Sequence, residues 1–452
     1  MKNAIPVTSR LALAILCFAG TITVGNEGLV AKPTWESLGG NFKRTGLSEN
    51  SGLELGCIKW KFETNGPVSS SLTVGFDNRA HIACEDGTLY TLDANGVLLW
   101  SYDANSPLLS SPSIGPDGTV YVGSQSGNLY AVDVSGNLLW THTTDGPISS
   151  SPAVSAESNV YVCSQDGILY ALDQKANELW SFETKGPGQV STVSIFASPA
   201  IGNDGTVYIA GLYDPNLYAL NSNDGSLKWT CTFESGGWPF ASPVVADDGT
   251  IYQTLLYDTN LYAIDHNDGT IIWSVDLADP QSGFFEPEYF EEYGDADGWS
   301  EPVLGPDGTI YVSFDDPYLR AVDPNGNIKW ITPLGTIGGF TLTVDIDGLI
   351  YAAGDEGYLY VVDSDGHQVS RYQSDNWLSY PVIAADNTLI VADSKDNSFL
   401  IEQSNNVVVA FSPECSEEQE PDLKWVGDLN FDGTVNFHDV ALLAVNWLND
   451  KE

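Results

Sequence analysis

The segment GNLYAVDVSGNLLW at 127–140 recurs along the chain, and the beat of its closing tryptophan limits the fold more than any other feature. Those tryptophans are Trp60, Trp100, Trp140, Trp180, Trp229, Trp273 and Trp330, at intervals of 40, 40, 40, 49, 44 and 57 residues. The tyrosine of a Leu-Tyr pair keeps the same spacing at Tyr90, Tyr130, Tyr170, Tyr218, Tyr262 and Tyr360. A period of about 40 residues with four short β-type runs per unit is that of a propeller blade. One such unit cannot bury both faces of its own sheet, so the units must stack into a ring.

The second unit shows the grammar. SSPSIG (110–115) reads as an inner strand, Asp117-Gly118 turns the chain into TVYVGS, Ser126-Gly127 into NLYAVD, and Ser135-Gly136 into NLLWTH. Asp-Gly and Ser-Gly between β-branched or aromatic runs signal hairpins, because glycine accepts positive φ there. Eight units begin near residues 68, 108, 148, 194, 240, 300, 339 and 378, and the expected fold is an all-β, eight-bladed propeller over 33–411. The last unit (381–411) aligns without a gap on 152–182, which puts Phe399 in the place of Tyr170 and Val409 in that of Trp180. CIKWKFET (57–64) reads as a spare fourth strand expected beside this last blade, either competing with VVVAF (407–411) or adding to it.

Composition narrows the setting. The 452 residues carry 61 acidic against 17 basic side chains, a net charge of -44, which repels phosphate backbones and excludes nucleic acid as a partner. A basic start followed by LALAILCFAGTITV reads as a secretory signal peptide over 1–25 and predicts an extracellular, periplasmic or cell-surface location. No other run has the length of a membrane-spanning helix. Cys84 and Cys163 sit where small hydrophobes pack, whereas Cys57 and Cys415 flank the repeats and are expected to pair in an oxidising compartment.

WESLGGNFKRTGLSEN (35–50) followed by IKWKFETNGPVSSS resembles the opening of proteins with pyrroloquinoline-quinone-type propeller repeats, which include BamB-like scaffolds and quinoprotein dehydrogenases. The resemblance spans roughly 35–411 and implies the fold more than an activity. Its enzyme members use a quinone, a calcium ion, a catalytic aspartate and often a disulfide between adjacent cysteines. This chain has no adjacent cysteines, so no catalytic residue is carried over. The five histidines stand alone at turn or strand positions, and no Gly-x-Ser-x-Gly elbow accompanies them.

An acidic linker (412–424) leads to GDLNFDGTVNFHDVALLAVNWLND. Oxygen donors fall at loop positions 1, 3, 5, 9 and 12 (Asp428, Asn430, Asp432, Asn436 and Asp439). Thr434 offers its carbonyl at position 7, and Gly433 allows the sharp turn at position 6. Hard cations want several oxygens from one short loop, so calcium is the expected cofactor. Aspartate at position 12 with one helix after it resembles a dockerin repeat, so 425–452 is read as a dockerin-like calcium loop–helix module. That resemblance implies a cohesin-like partner, although the family normally carries two repeats and this chain one.

Two irregularities mark a binding region. An insertion rich in aromatics and acids (281–302) contains Glu286 and Glu288, and Trp238, Trp299 and Trp377 each lie three to five residues before the proline that opens an inner strand. Exposed aromatics beside carboxylates suit sugar stacking or an extended peptide. The favoured expectation is a secreted, non-catalytic propeller that binds a glycan or protein partner and attaches through calcium, within a polysaccharide-degrading system. The alternative is an extracellular enzyme, either a quinoprotein dehydrogenase or a carbohydrate-active propeller.

Overall fold

The computed structural model describes residues 35–412 apart from 53, 54, 56, 76, 185–194, 212, 279–300, 315, 336–339, 355–356, 375 and 395–405. The described residues form strands, turns and bends and contain no helix. After β1 (Cys57–Thr64) come seven sheets of four antiparallel strands, β2–β5 (73–103), β6–β9 (113–143), β10–β13 (153–183), β14–β17 (200–232), β18–β21 (244–276), β22–β25 (303–333) and β26–β29 (340–373). The eighth sheet joins β30–β33 (377–412) to β1. The eight-bladed ring expected from the repeats is therefore present.

Within a blade the turn chemistry follows the predicted punctuation. Asp117 accepts the Thr119 N–H through its carboxylate, and Gly118 takes φ +82° to close the hairpin. Between blades, each tryptophan is a spoke. The Trp100 indole donates to the Val134 carbonyl of the next blade at 3.1 Å, and Trp180 does the same to Ser222 at 2.8 Å. The ring lies over a turn glycine; a Cβ on Gly225 would meet Trp180 at 2.6 Å, so the residue there must lack one. Four of the Leu-Tyr tyrosines (Tyr90, Tyr170, Tyr218 and Tyr262) latch within their blade, as when Tyr218 donates to Asp214 at 2.7 Å, whereas Tyr130 donates to the Ala104 carbonyl of blade 1. Blade 6 makes the same latch with other groups. Arg320 occupies the tyrosine position, is fully buried, and pairs with Asp316 while lying over the Phe314 ring.

Ring closure resolves the position of VVVAF. β33 (Asn406–Ser412) pairs with β32 (Leu389–Ser394) on one side and β1 on the other, so β1 adds to VVVAF and becomes the fourth strand. Trp60 lies opposite Ala410 and docks on blade 1 through the Ala94 carbonyl at 3.1 Å. The alignment of Val409 with Trp180 is thus corrected. Val409 belongs to the third strand, and Trp60 fills the tryptophan place, because the chain supplies its last blade's outer strand from its beginning. Phe399 lies outside the described residues. Cys57 is disulfide-bonded and sits opposite Ser412. Cys415, its expected partner, lies outside the described residues, as do the expected signal peptide and the 425–452 module.

Residues 35–50 form a strap across one end of the ring. Ile114, Ile201, Val245, Leu304 and Val344, from inner strands of five blades, donate their N–H groups to the carbonyls of Glu36, Phe42, Lys43, Thr45 and Gly46. Trp35 bridges Val74 in blade 1. From the strap, Arg44 enters the centre with 1% exposure, donating to the carbonyls of Pro199, Leu38 and Ser151. Around it runs a belt in which each backbone N–H meets the next blade's hydroxyl: Ser71 to Ser111, Ser111 to Ser151, Ser151 to Ser198, and Ser198 to Ser242. Buried polar groups need such partners, and the belt supplies them blade to blade.

Candidate ligand-binding face

Antiparallel alternation gives the ring two unlike faces. One carries the strap together with the turns between first and second strands. The other carries the turns between second and third strands and the connections between blades. On the strap face a cleft of about 1180 Å³ is lined by carboxylates that include Glu36, Glu49, Glu157, Asp204, Asp248 and Asp307. Lys43, within it, is paired with Asp247 at 2.7 Å. The channel between the faces holds Arg44, whose pKa burial lowers to about 10. Burial raises that of Glu301, against the pull of Arg44 and of the Ser242 donors. Tyr380 is pushed well above the usual phenol value by burial and then by Glu301.

The connection face carries the aromatics. Trp238 lies between blades 4 and 5, pinned to the turn between β19 (Ile251–Leu255) and β20 (Asp258–Ile264) by backbone bonds with Leu256 in both directions (3.2 and 2.7 Å). Its indole stands edge-on to Tyr213 at 4.9 Å and to Tyr257 at 5.6 Å between ring centroids. The tyrosines are the unexpected part. Tyr213 is 58% exposed at φ +64°, and Tyr257 is 57% exposed at φ +63°. Bulky residues rarely adopt that left-handed region, and such strain persists only when the surroundings hold it. In blades 1, 2, 3 and 7 the same connection puts a glycine at positive φ (Gly87, Gly127, Gly167 and Gly357). Phe196 and Phe240 also pack ring to ring, at 5.4 Å between centroids.

Of the residues expected to bind ligand, Trp238 joins this cluster. Trp377 lies on the same face but in blade 8, opposite Ser394 in β30 (Trp377–Leu378). Trp299, Glu286 and Glu288 lie outside the described residues, as do Asp428, Asn430, Asp432, Thr434, Asn436 and Asp439 of the expected calcium loop. Sequence reading passed over Tyr213 and Tyr257. Their signal was the pair GLYD and LLYD, each with tyrosine where a turn calls for glycine. It also gave Arg44 no role, since a lone basic residue ahead of the repeats carries no periodic mark.

The geometry has counterparts among known proteins. The family model described as outer membrane protein assembly factor BamB matches residues 85–230 and 194–288. BamB from Moraxella catarrhalis is similar at 18% identity and a TM-score of 0.62, covering 78% of this chain and 98% of its own. The fold is that of a BamB-like β-propeller. Two quinohemoprotein alcohol dehydrogenases share the BamB-like ring. ADHIIG from Pseudomonas putida HK5 is 16% identical with a TM-score of 0.67, covering 86% of this chain and 81% of that one. The Comamonas testosteroni enzyme is 13% identical with a TM-score of 0.67, covering 85% and 81%. No curated protein matches in sequence. At these identities the likeness is one of fold. A quinone with its calcium would need converging carboxylates. Among the described residues no three His, Cys, Asp or Glu side chains converge as metal ligands, and the belt hydroxyls are bonded to neighbouring blades. The described residues do not present that donor set, and no step is derived through it.

Proposed function

We propose that the protein is a non-catalytic binding propeller that acts outside the cytoplasm and takes a glycan or protein partner on its connection face. Residues 425–452 attach it elsewhere through a dockerin-like calcium loop, with a cohesin-like partner, within a polysaccharide-degrading system. One observation carries the reading: Trp238 is braced between two exposed tyrosines held in a strained backbone conformation. Large exposed aromatic patches on a soluble surface mark contacts. The likeness to BamB, named an assembly factor of the outer membrane, supports both a partner-binding role and the location. The likeness to quinohemoprotein dehydrogenases favours the second reading, an extracellular enzyme, which a carbohydrate-active propeller would also satisfy.

A glycan and peptide array probed with the whole protein and with Trp238→Ala tests the first reading. Ligand retained by the parent and lost by the variant is expected, and equal capture by both would move the site off this face. Turnover of an alcohol with an electron-accepting dye after addition of pyrroloquinoline quinone would replace the binding role with the enzyme one, as would glycan hydrolysis. Calcium titration calorimetry on the whole chain should show a site that Asp428→Ala with Asp432→Ala abolishes. Identical isotherms would refute the calcium loop.

A further inference from the structure

Resting on the reading of this face as the binding surface, we infer that its ligand is a neutral polysaccharide with sugar rings met by Tyr213 and Tyr257. The two tyrosines are one site made twice. Each closes the turn between second and third strands of its blade, Gly211 opposite Asp214 and Leu255 opposite Asp258. Each turn is anchored alike: Asp214 accepts from Tyr218 and from the Asn216 side chain, and Asp258 accepts from Tyr262 and from the Asn260 side chain. A surface that presents the same ring twice suits a ligand built of repeating units. Trp238 stands edge-on to both rings at 69° and 76°, contacts that orient them while more than half of each tyrosine stays exposed.

The charges around the pair select the class. The anchoring carboxylates Asp214 and Asp258 are occupied by those donors and offer little to a basic ligand. Lys228 is the sole lysine or arginine between residues 200 and 278, and it is bonded to Asp204 and Thr206 on the strap face. Among the described residues of this stretch an anionic polymer would meet no lysine or arginine on this face, and it would meet the field of a chain with net charge -44. What remains is apolar ring surface with a hydroxyl at its tip, which matches the C–H faces and hydroxyls of an uncharged sugar chain.

Glycine substitutions separate recognition from folding, because glycine accepts the φ these tyrosines strain to hold. Titration calorimetry would compare the whole protein with Tyr213→Gly and Tyr257→Gly. The probes are cello-, manno- and xylo-oligosaccharides from disaccharide to hexasaccharide, with polylysine as the basic control, each at low and high salt. Neutral oligosaccharides should bind more tightly with length and without regard to salt. Each variant should weaken the longer ones about tenfold with its Tm held or raised. Sugar binding that survives both substitutions would overturn the inference, and so would a variant whose Tm falls along with its affinity. Binding of polylysine alone, weakening with salt, would reject the ligand class and leave the face as the binding surface. If no probe binds, the inference falls. The array comparison of parent with Trp238→Ala then decides separately whether the face binds anything at all.

Discussion

In blade 1 the second strand carries His81 where six other blades carry tyrosine (Tyr121, Tyr161, Tyr208, Tyr252, Tyr311 and Tyr351). The imidazole keeps the tyrosine's station. It lies 6.0 Å from Trp100 between ring centroids, as Tyr121 lies 5.7 Å from Trp140, and its Nδ1 is 2.7 Å from the Thr91 hydroxyl. Burial holds its pKa down at about 4, below the 6.5 of the free side chain. The unfolded chain therefore binds a proton that the folded one refuses. His81 leaves stability intact above pH 6.5 and erodes it as the pH falls from there towards 4, by up to about 3 kcal/mol. His81→Tyr should remove that component. Denaturant titrations of both proteins at neutral pH and near pH 4 measure it, and equal losses in the two would refute the assignment. The residue scale is also where sequence reading was weakest. Tyr213 and Tyr257 look like strand residues until a backbone is drawn, since side-chain type carries no sign of φ.

Elements were the legible level, because tryptophan spokes and glycine turns repeat whenever a blade does. Blade 6 departs from the pattern in one place, and its chemistry can be tested. Arg320 and Asp316 form an ion pair in the core, with further bonds from Arg320 to the Leu277 and Tyr318 carbonyls. Asp316→Ala would strand a buried guanidinium and should cost about 3–5 kcal/mol. Arg320→Tyr instead restores the Tyr–Asp latch of blades 4 and 5 and should cost less than about 1.5 kcal/mol. Chemical denaturation separates the two, and similar losses would show that the pair has no special role. The last blade was misread for a physical reason. Gapless alignment assumes that a blade's four strands are consecutive, and here the fourth is drawn from the other end of the chain. The orphan run CIKWKFET was the clue, and it placed β1 beside the last blade while leaving the strand count there unsettled.

For the whole molecule, closure rests on β1 in two ways, its ladder with β33 and the Trp60 spoke, and a Cys57–Cys415 bond would add a third. Alkylation of denatured protein without reductant should label Cys84, Cys163 and Cys231 and spare Cys57 and Cys415. A labelled Cys415 would show that Cys57 pairs elsewhere. With Cys57 paired to Cys415, reductant should lower stability by on the order of 4 kcal/mol, as expected for a cross-link closing so long a loop. The same β1–β33 ladder also imposes an order of events. β1 is among the first strands to be synthesised, yet Thr64 waits for Asn406 and Cys57 for Ser412. Through the making of seven blades this strand has an open edge and no partner, the condition in which chains are captured by one another. A circularly permuted chain that starts at blade 1 and carries β1 after β33 should fold faster and aggregate less, because its final strand would emerge beside a partner already in place.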